Sequence, residues 1–547
     1  MDIQQKIKQM ARDICVSWKM KLFLLMMIAG GINHFALYAN EITNPDGLTV
    51  GNFRVSWLWE VRVGRWGIYL IEKLRGFLVS PYVTTFFALI YMAISVLLIL
   101  DILEIKKKSF QITVAILMIV SPAMAQTLSY YYCADIYLLA CLLSCLAIWF
   151  AKKGKVIPFI LGIICISFSL GIYQVYIGVV AGLALFVLIL DLLHGKKILD
   201  VVKRFVCFAC TAAFGLILYY ILANVFLKVR GQTFAEYSGA NASVLSGLSV
   251  WKDSLHAMYQ NFYHFLFGND LYLLQNAYWH RNEIHAVIMI LGMIALAVVI
   301  LRRKYWKDIV RVLLVLAGIC LIPFALELIR FITPERDIEL LMSLPLYLIF
   351  PFMLKVVELA VAGNSQNQTQ SSLRSLTNVG SLAGAMLCLA SIVMVNVMNW
   401  TYVLSDNATY LYLKTCRNQT LSTAERMLAK MDQLDGYKSD MPVLISGTVS
   451  EENYPLNSPL RQMSVGQMSE WGMFWKDYYG MKSCWSAIFG QYFGWNVTFC
   501  SDEDYDRITQ SQQYQEMGIF PDSDSVEIID GIVVFKLTDD PVAAMTE

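Results

Sequence analysis

Long apolar blocks recur along this sequence and leave it few ways to fold. Eleven are read, at 21–39, 82–103, 110–128, 130–151, 156–171, 172–193, 205–227, 285–301, 309–331, 338–358 and 378–400. Each is close to the ~20 residues that a helix needs to cross a bilayer. A helix closes its backbone hydrogen bonds within itself, which is what lipid demands. The run from 156 to 193 has nearly double length and is split near Gly171, where "SLGIYQVY" gathers Gly, Tyr and Gln. Only 16% of residues are charged, against about 25% in a soluble domain. The chain therefore reads as an all-α polytopic membrane protein.

Basic residues set the expected orientation. Lys19/Lys21, Lys106–Lys108, Lys152/Lys153/Lys155, Lys196/Lys197/Lys203/Arg204 and Arg302–Lys304/Lys307 fall at every second span end. That alternation expects a cytoplasmic N-terminus and an outside C-terminus. No small-residue cleavage site follows the first block, so it reads as a span rather than a signal peptide. Net charge is +1, which gives no reason to expect a nucleic-acid partner.

The expected division is a transmembrane part, 1–400, and a small extracytoplasmic α/β domain, 401–547. The transmembrane part carries two large outer loops, 40–81 and 228–284. In the tail, "LSTAERMLAKMDQL" reads as a helix with Ser422 as its cap and Glu425 at capping-box spacing. "MPVLISG" and "GIVVFKL" read as strands. Cys484 and Cys500 lie in this polar region and are available for a disulfide if it faces an oxidising compartment. The other cysteines noted sit in apolar blocks as small hydrophobes.

The charged loop after the first span holds the chemistry. "NEITNPDGLTVGNFRVSWLWEVRVGRWG" (40–67) carries Glu41, Asp46 and Glu60, Arg54, Arg62 and Arg65, and Trp57, Trp59 and Trp66. Taken alone, its acids are ordinary solvated loop carboxylates. In company with arginines, tryptophans and an amphipathic "IYLIEKLRGFLV" at the interface, they suit a lipid phosphate and a sugar. Arginine grips phosphate in a planar fork. Other polar groups fall at the same level: Asp135 in "YYYCADIY", Tyr173 and Gln174 in "GIYQVY", and Glu327, Arg330 and Arg336 in "ALELIRFITPERDIEL". Asp135 reads equally well as a structural hydrogen-bonding group. No Walker A, GxGxxG, HExxH or GxSxG motif is present. No cofactor or metal site is read, although a divalent metal stays open.

The order "GRWG", "SYYYCADIY", "SLGIYQVYIG" resembles the bacterial O-antigen glucosyltransferase family of the Gtr type II kind, over roughly residues 15–400. That resemblance implies a GT-C glycosyltransferase of the bacterial cytoplasmic membrane. Its donor would be a polyprenyl-phosphate-linked sugar and its acceptor a cell-surface polysaccharide, joined on the outer face beside membrane lipid. It implies that the catalytic carboxylate is Glu41 or Asp46, with Glu60 third. Arg62, Arg65, Arg330 and Arg336 would bind phosphate. Trp57, Trp59, Trp66, Asp135, Tyr173 and Gln174 would bind sugar or lipid. The loop lacks the Asp-Asp or Asp-Glu doublet of some GT-C enzymes. A flippase of lipid-linked sugar and a non-enzymatic envelope assembly protein are the alternatives. A flippase is expected to show broken, charged spans near the midplane.

Overall fold

The computed structural model describes residues 17–54, 58–235, 248–268, 280–331, 339–362, 379–447, 460 and 478–539. The chain opens with α1 (Trp18–Asn33) and α2 (Phe35–Ala39). They part at His34, whose Nδ1 meets the Tyr410 hydroxyl at 2.7 Å and whose Nε2 meets the Ile119 carbonyl at 2.9 Å. Three short helices follow: α3 (Pro45–Val50), α4 (Leu58–Arg62) and α5 (Trp66–Leu74). The bundle continues with α6 (Pro81–Ile102), α7 (Lys108–Ile119), α8 (Pro122–Ser129), α9 (Ala134–Ala151), α10 (Val156–Ile172), α11 (Ile177–Leu193) and α12 (Ile198–Val229). After these come α13 (Leu248–Phe267), α14 (Arg281–Arg302), α15 (Ile309–Cys320), α16 (Ile322–Leu326), α17 (Ile349–Val361) and α18 (Val379–Met431). Pro45, Pro81 and Pro122 each open a helix, where the fixed φ suits and the missing N–H is no loss.

Among the described residues, eight helical segments are long and apolar enough to cross a membrane. The other three blocks read as spans are shorter or broken: α1 with α2, α10, and α15. The long run 156–193 breaks at Tyr173, which is extended and ends α10; one 3-10 turn, Gln174–Tyr176, leads into α11. Within the bundle α9 packs between α6 and α10, and α10 packs on α12. α12 turns Phe205, Phe214, Ile217, Tyr220 and Ile221 outward, an apolar face that lipid covers in a helical membrane protein. Several basic turns are tied to neighbouring turns at the end of the bundle away from the charged loop. Lys152 reaches Glu104 at 2.7 Å, Lys355 reaches the Glu104 carbonyl at 2.5 Å, and Arg311 reaches the carbonyls of Leu192 and Lys196.

The C-terminal region adds β1 (Val443–Ser446), α19 (Tyr478–Phe493), α20 (Asp502–Thr509), α21 (Gln512–Glu516), β2 (Val526–Ile529) and β3 (Ile532–Lys536). Its sheet has the order β1-β3-β2, with β1 parallel and β2 antiparallel to β3. The β2–β3 hairpin turns on Asp530 and Gly531, both at positive φ, the chemistry of a tight hairpin. β3 is central and buried along its length, so Ile532–Phe535 read as an apolar run rather than an alternating one before the buried Lys536.

One long helix crosses the expected boundary, and three other expectations are corrected. The division at 400/401 falls inside one unbroken helix, because α18 runs 53 residues with no Pro or Gly between Gly384 and Gly436. Ser422 therefore caps nothing, and its carbonyl accepts from Arg426 Nε at 3.2 Å inside that helix. Cys484 and Cys500 are both buried free thiols rather than a disulfide. The amphipathic helix read through residue 79 stops at Leu74, since Gly76 and Phe77 both take positive φ. Its faces also differ from the expected ones: Glu72 is buried at 1% exposure while Leu74 is 83% exposed. Glu72 turns inward because a cation waits there.

Candidate active site

The first acidic segment is held at several points. Thr43 Oγ1 and the Asn44 amide both donate to the Ser129 carbonyl, at 3.0 and 3.2 Å. Asn44 then caps α3. Its Oδ1 accepts from the Gly47 amide at 3.0 Å, and its Nδ2 donates to Asp46 Oδ2 at 3.0 Å. Gly47 is required, because a Cβ there would stand 1.8 Å from Thr43 Oγ1. The Tyr131 hydroxyl donates to the Gly47 carbonyl at 3.1 Å.

Asp46 is half-buried, and its charge acts on Tyr130 and Tyr132. The Tyr130 hydroxyl donates to Glu339 Oε2 at 3.1 Å. Glu339 thus bonds this tyrosine, and the charge of Asp46 also acts on it. Glu41 looks elsewhere. It is exposed at positive φ, and its charge acts on Tyr131 and on Tyr492 of α19.

The loop arginines divide into two kinds. Arg54 is buried and pairs with Glu60 and, at 2.8 Å, with Glu72. Arg75 pairs with Asp135, and its charge also acts on Glu72. Glu60, Arg54, Glu72, Arg75 and Asp135 therefore form one chain of alternating charge. Arg62 and Arg65 differ: among the described residues no carboxylate lies within ion-pair distance of either. The Arg65 guanidinium lies 4.9 Å over the Tyr173 ring, and its Nε approaches Gln174 Oε1 at 3.4 Å. Tyr173 stacks on Tyr137 at 4.4 Å and 11°. Gln174 Nε2 donates to the Val63 carbonyl at 2.9 Å and to the Tyr219 hydroxyl at 3.1 Å. Gly64 permits this closeness, sitting at φ +78° with Tyr219 Oη 2.4 Å from where a Cβ would be. Tyr132 and Tyr137 touch the field of Arg65, and Tyr132 that of Asp46. Tyr132 therefore feels the charges of both the arginine and the acid.

The remaining nominated residues scatter. Trp66 is buried, stacked on Phe226 at 5.3 Å and set edge-on to Phe168, so its faces are occupied by protein. Trp59 is 45% exposed. Arg330 is buried and its charge acts on Glu327, while its turn packs against the turn of Gln174. Trp57 and Arg336 lie outside the described residues. Among the described residues no three His, Cys, Asp or Glu side chains converge as metal ligands. Glu339, Tyr130 and Tyr132 were not nominated from sequence. The tyrosines stood in a quoted motif, but nothing local marks Glu339 as their neighbour.

Apolar helices of bilayer length, with charged and tyrosine side chains gathered around one interhelical loop, define a helical membrane protein. The chain belongs to the glucosyl transferase GtrII family, whose profile matches residues 46–356, more than half its length. It is thus a glycosyltransferase of the membrane. No curated protein and no solved structure matches it.

Proposed function

We propose that the protein moves a glucosyl group from a polyprenyl-phosphate carrier to a cell-surface glycan, at the outer face of the bacterial cytoplasmic membrane. One observation carries this reading. Among the described residues no carboxylate lies within ion-pair distance of Arg65, and Tyr132 feels both its charge and that of Asp46. An arginine that no acid neutralises is a standing invitation to an anion, and a phosphodiester supplies one in planar-fork geometry. The alternation of basic turns supports the orientation, with the basic ends inside and the acid loop outside.

In this reading Arg65 and Arg62 hold the donor phosphate. Asp46 accepts the proton of the attacking acceptor hydroxyl. The acceptor oxygen bonds to the anomeric carbon as the bond from that carbon to the phosphate oxygen breaks. The electron pair leaves with the polyprenyl phosphate, whose growing charge the arginines stabilise. One displacement inverts the anomeric centre. Tyr130 and Glu339, beside Asp46, read sugar hydroxyls. Glu60 and Asp135 serve the alternating ion chain and need no role in chemistry.

The test uses the full protein in lipid nanodiscs with polyprenyl-phosphate glucose and a surface-glycan acceptor. Glucosylated acceptor and free polyprenyl phosphate in equal amounts are expected. Translocation of donor across vesicles without transfer would replace this reading with a flippase.

A further inference from the structure

The family match ends at residue 356, yet the chain beyond it grips the acidic segment at both ends. At one end, the Arg417 guanidinium on α18 donates to the Asn40 carbonyl, and Arg417 also bonds the Tyr492 hydroxyl of α19. At the other end, Gln491 Nε2 donates to the Leu48 carbonyl at 2.6 Å. Leu48 itself is 3% exposed and belongs to the apolar core of the C-terminal region, with Tyr412, Cys416, Met481, Trp485 and Phe489. Gly51, at φ +64°, brings its backbone close under the same Gln491 amide, 2.9 Å from where a Cβ would stand. Both acids proposed for the base, Glu41 and Asp46, lie between these two anchors.

We infer that the C-terminal region is a working part of the active site, and that Gln491 and Arg417 are positioning residues that set where the catalytic carboxylate stands. The inference rests on the reading of Glu41 or Asp46 as the base. Physically it follows from the shortness of α3. Six residues make one and a half turns, too few to hold a shape alone. The acid must therefore be located by what its helix touches: Ser129 and Tyr131 on the bundle side, and α18 and α19 on the other. A displacement of about 1 Å at a reacting group costs on the order of 10²-fold in rate. Loosening either anchor should thus lower turnover and leave the donor phosphate, held by Arg65 from α5 and the α10–α11 turn, as tightly bound as before.

The experiment is a double-mutant cycle on the full-length protein in nanodiscs. Gln491→Ala and Arg417→Ala are made alone and in the Asp46→Asn and Glu41→Gln backgrounds. Turnover, donor affinity and thermal midpoint are measured for each, with slow variants followed over long single-turnover incubations. Each anchor variant alone is expected to lose about 10- to 100-fold in turnover with unchanged donor affinity. In whichever amide background has lost the base, the same substitution should cost almost nothing more, since a residue acting through another has no effect once that other is gone. Equal losses in the parent and in that background would overturn the inference, as would full turnover in both anchor variants. A fall in donor affinity in step with turnover and thermal midpoint would also overturn it, because general unfolding moves all three. If neither amide substitution slows the parent, the base reading itself fails, which the same plate reports separately.

Discussion

Arg75 forks onto Asp135, reaching Oδ1 at 2.7 Å and Oδ2 at 2.9 Å, and spends its second nitrogen on the Tyr132 carbonyl at 2.7 Å. An acid so held is an anchor for the loop rather than a free base. Breaking a buried pair by removing one partner costs about 3–5 kcal/mol. Asp135→Asn is therefore expected to lower the thermal midpoint and the folded yield sharply. The protein that does fold should bind donor normally. A stable Asp135→Asn protein without turnover would make the acid catalytic.

Arg65→Ala should weaken donor binding by about 10- to 100-fold, the span of a lost charged contact of ~1.5–3 kcal/mol. Arg65→Lys should recover only part, because lysine keeps the charge but loses the fork and the planar stack on Tyr173. Titration of a fluorescent donor analogue into nanodiscs reads both. Parental affinity in the two variants would remove the phosphate from this arginine.

Asp46→Asn should retain donor binding and lose turnover by about 10²- to 10⁴-fold, the usual worth of a general base. The amide keeps the Asn44 contact but cannot take the proton. Glu41→Gln should slow transfer far less, since the charge of Glu41 acts on Tyr131 and Tyr492 rather than on the tyrosine that also feels Arg65. The opposite ranking would move the base five residues toward the first helix.

Tyr130→Phe and Glu339→Gln should change which sugars are accepted more than whether transfer occurs. A site built to bond a hydroxyl discriminates against a donor lacking it. Kinetics with monodeoxy glucosyl donors should show one hydroxyl whose removal hurts the parent at least tenfold but barely affects the variants. Identical deoxy profiles in all three proteins would take sugar reading away from this pair.

Burial raises the Glu72 carboxyl above its ordinary value of 4.5, outweighing the pull of Arg54 and Arg75. The folded protein then holds this proton to a higher pH than the unfolded chain does. Its stability contribution is largest below 4.5 and declines as pH rises through the raised value. Thermal midpoints taken between about pH 4 and pH 8 should show that decline in the parent and a flatter curve in Glu72→Gln. Parallel curves would mean that the carboxyl titrates as it does in the unfolded chain.

Local features were legible in the sequence and pairings across the chain were not. The break between α10 and α11 was readable because Gly, Tyr and Gln interrupt an apolar run. The charge of the 40–67 loop stood out against its apolar flanks. Yet four of the arginines there and just beyond, Arg54, Arg62, Arg65 and Arg75, look alike in sequence. Only folding reveals that Arg54 and Arg75 are neutralised, and that among the described residues no acid pairs with Arg62 or Arg65. Glu339 lies 209 residues from Tyr130, and Gln491 lies 443 from Leu48. Periodicity reports which face of its own helix a residue occupies, and it carries no information about partners so distant. The same limit hid the continuity of α18: polar residues past 400 resemble a loop until Asn33 and His34 are seen bonding to Asp406 and Tyr410.

The 53-residue α18 has a consequence for how this protein can diverge. Among its contacts with the first helices are Tyr410 at His34 and Arg417 at Asn40, two turns apart on one face. A single residue inserted between those contacts turns everything beyond it by about 100° and lifts it by about 1.5 Å. Arg417 would then point away from Asn40, and Gln491 would be carried off Leu48. Substitutions along the outward face of this helix can accumulate freely, but its length between residues 410 and 417 is fixed. Relatives that keep this arrangement should differ there in letters and never in number.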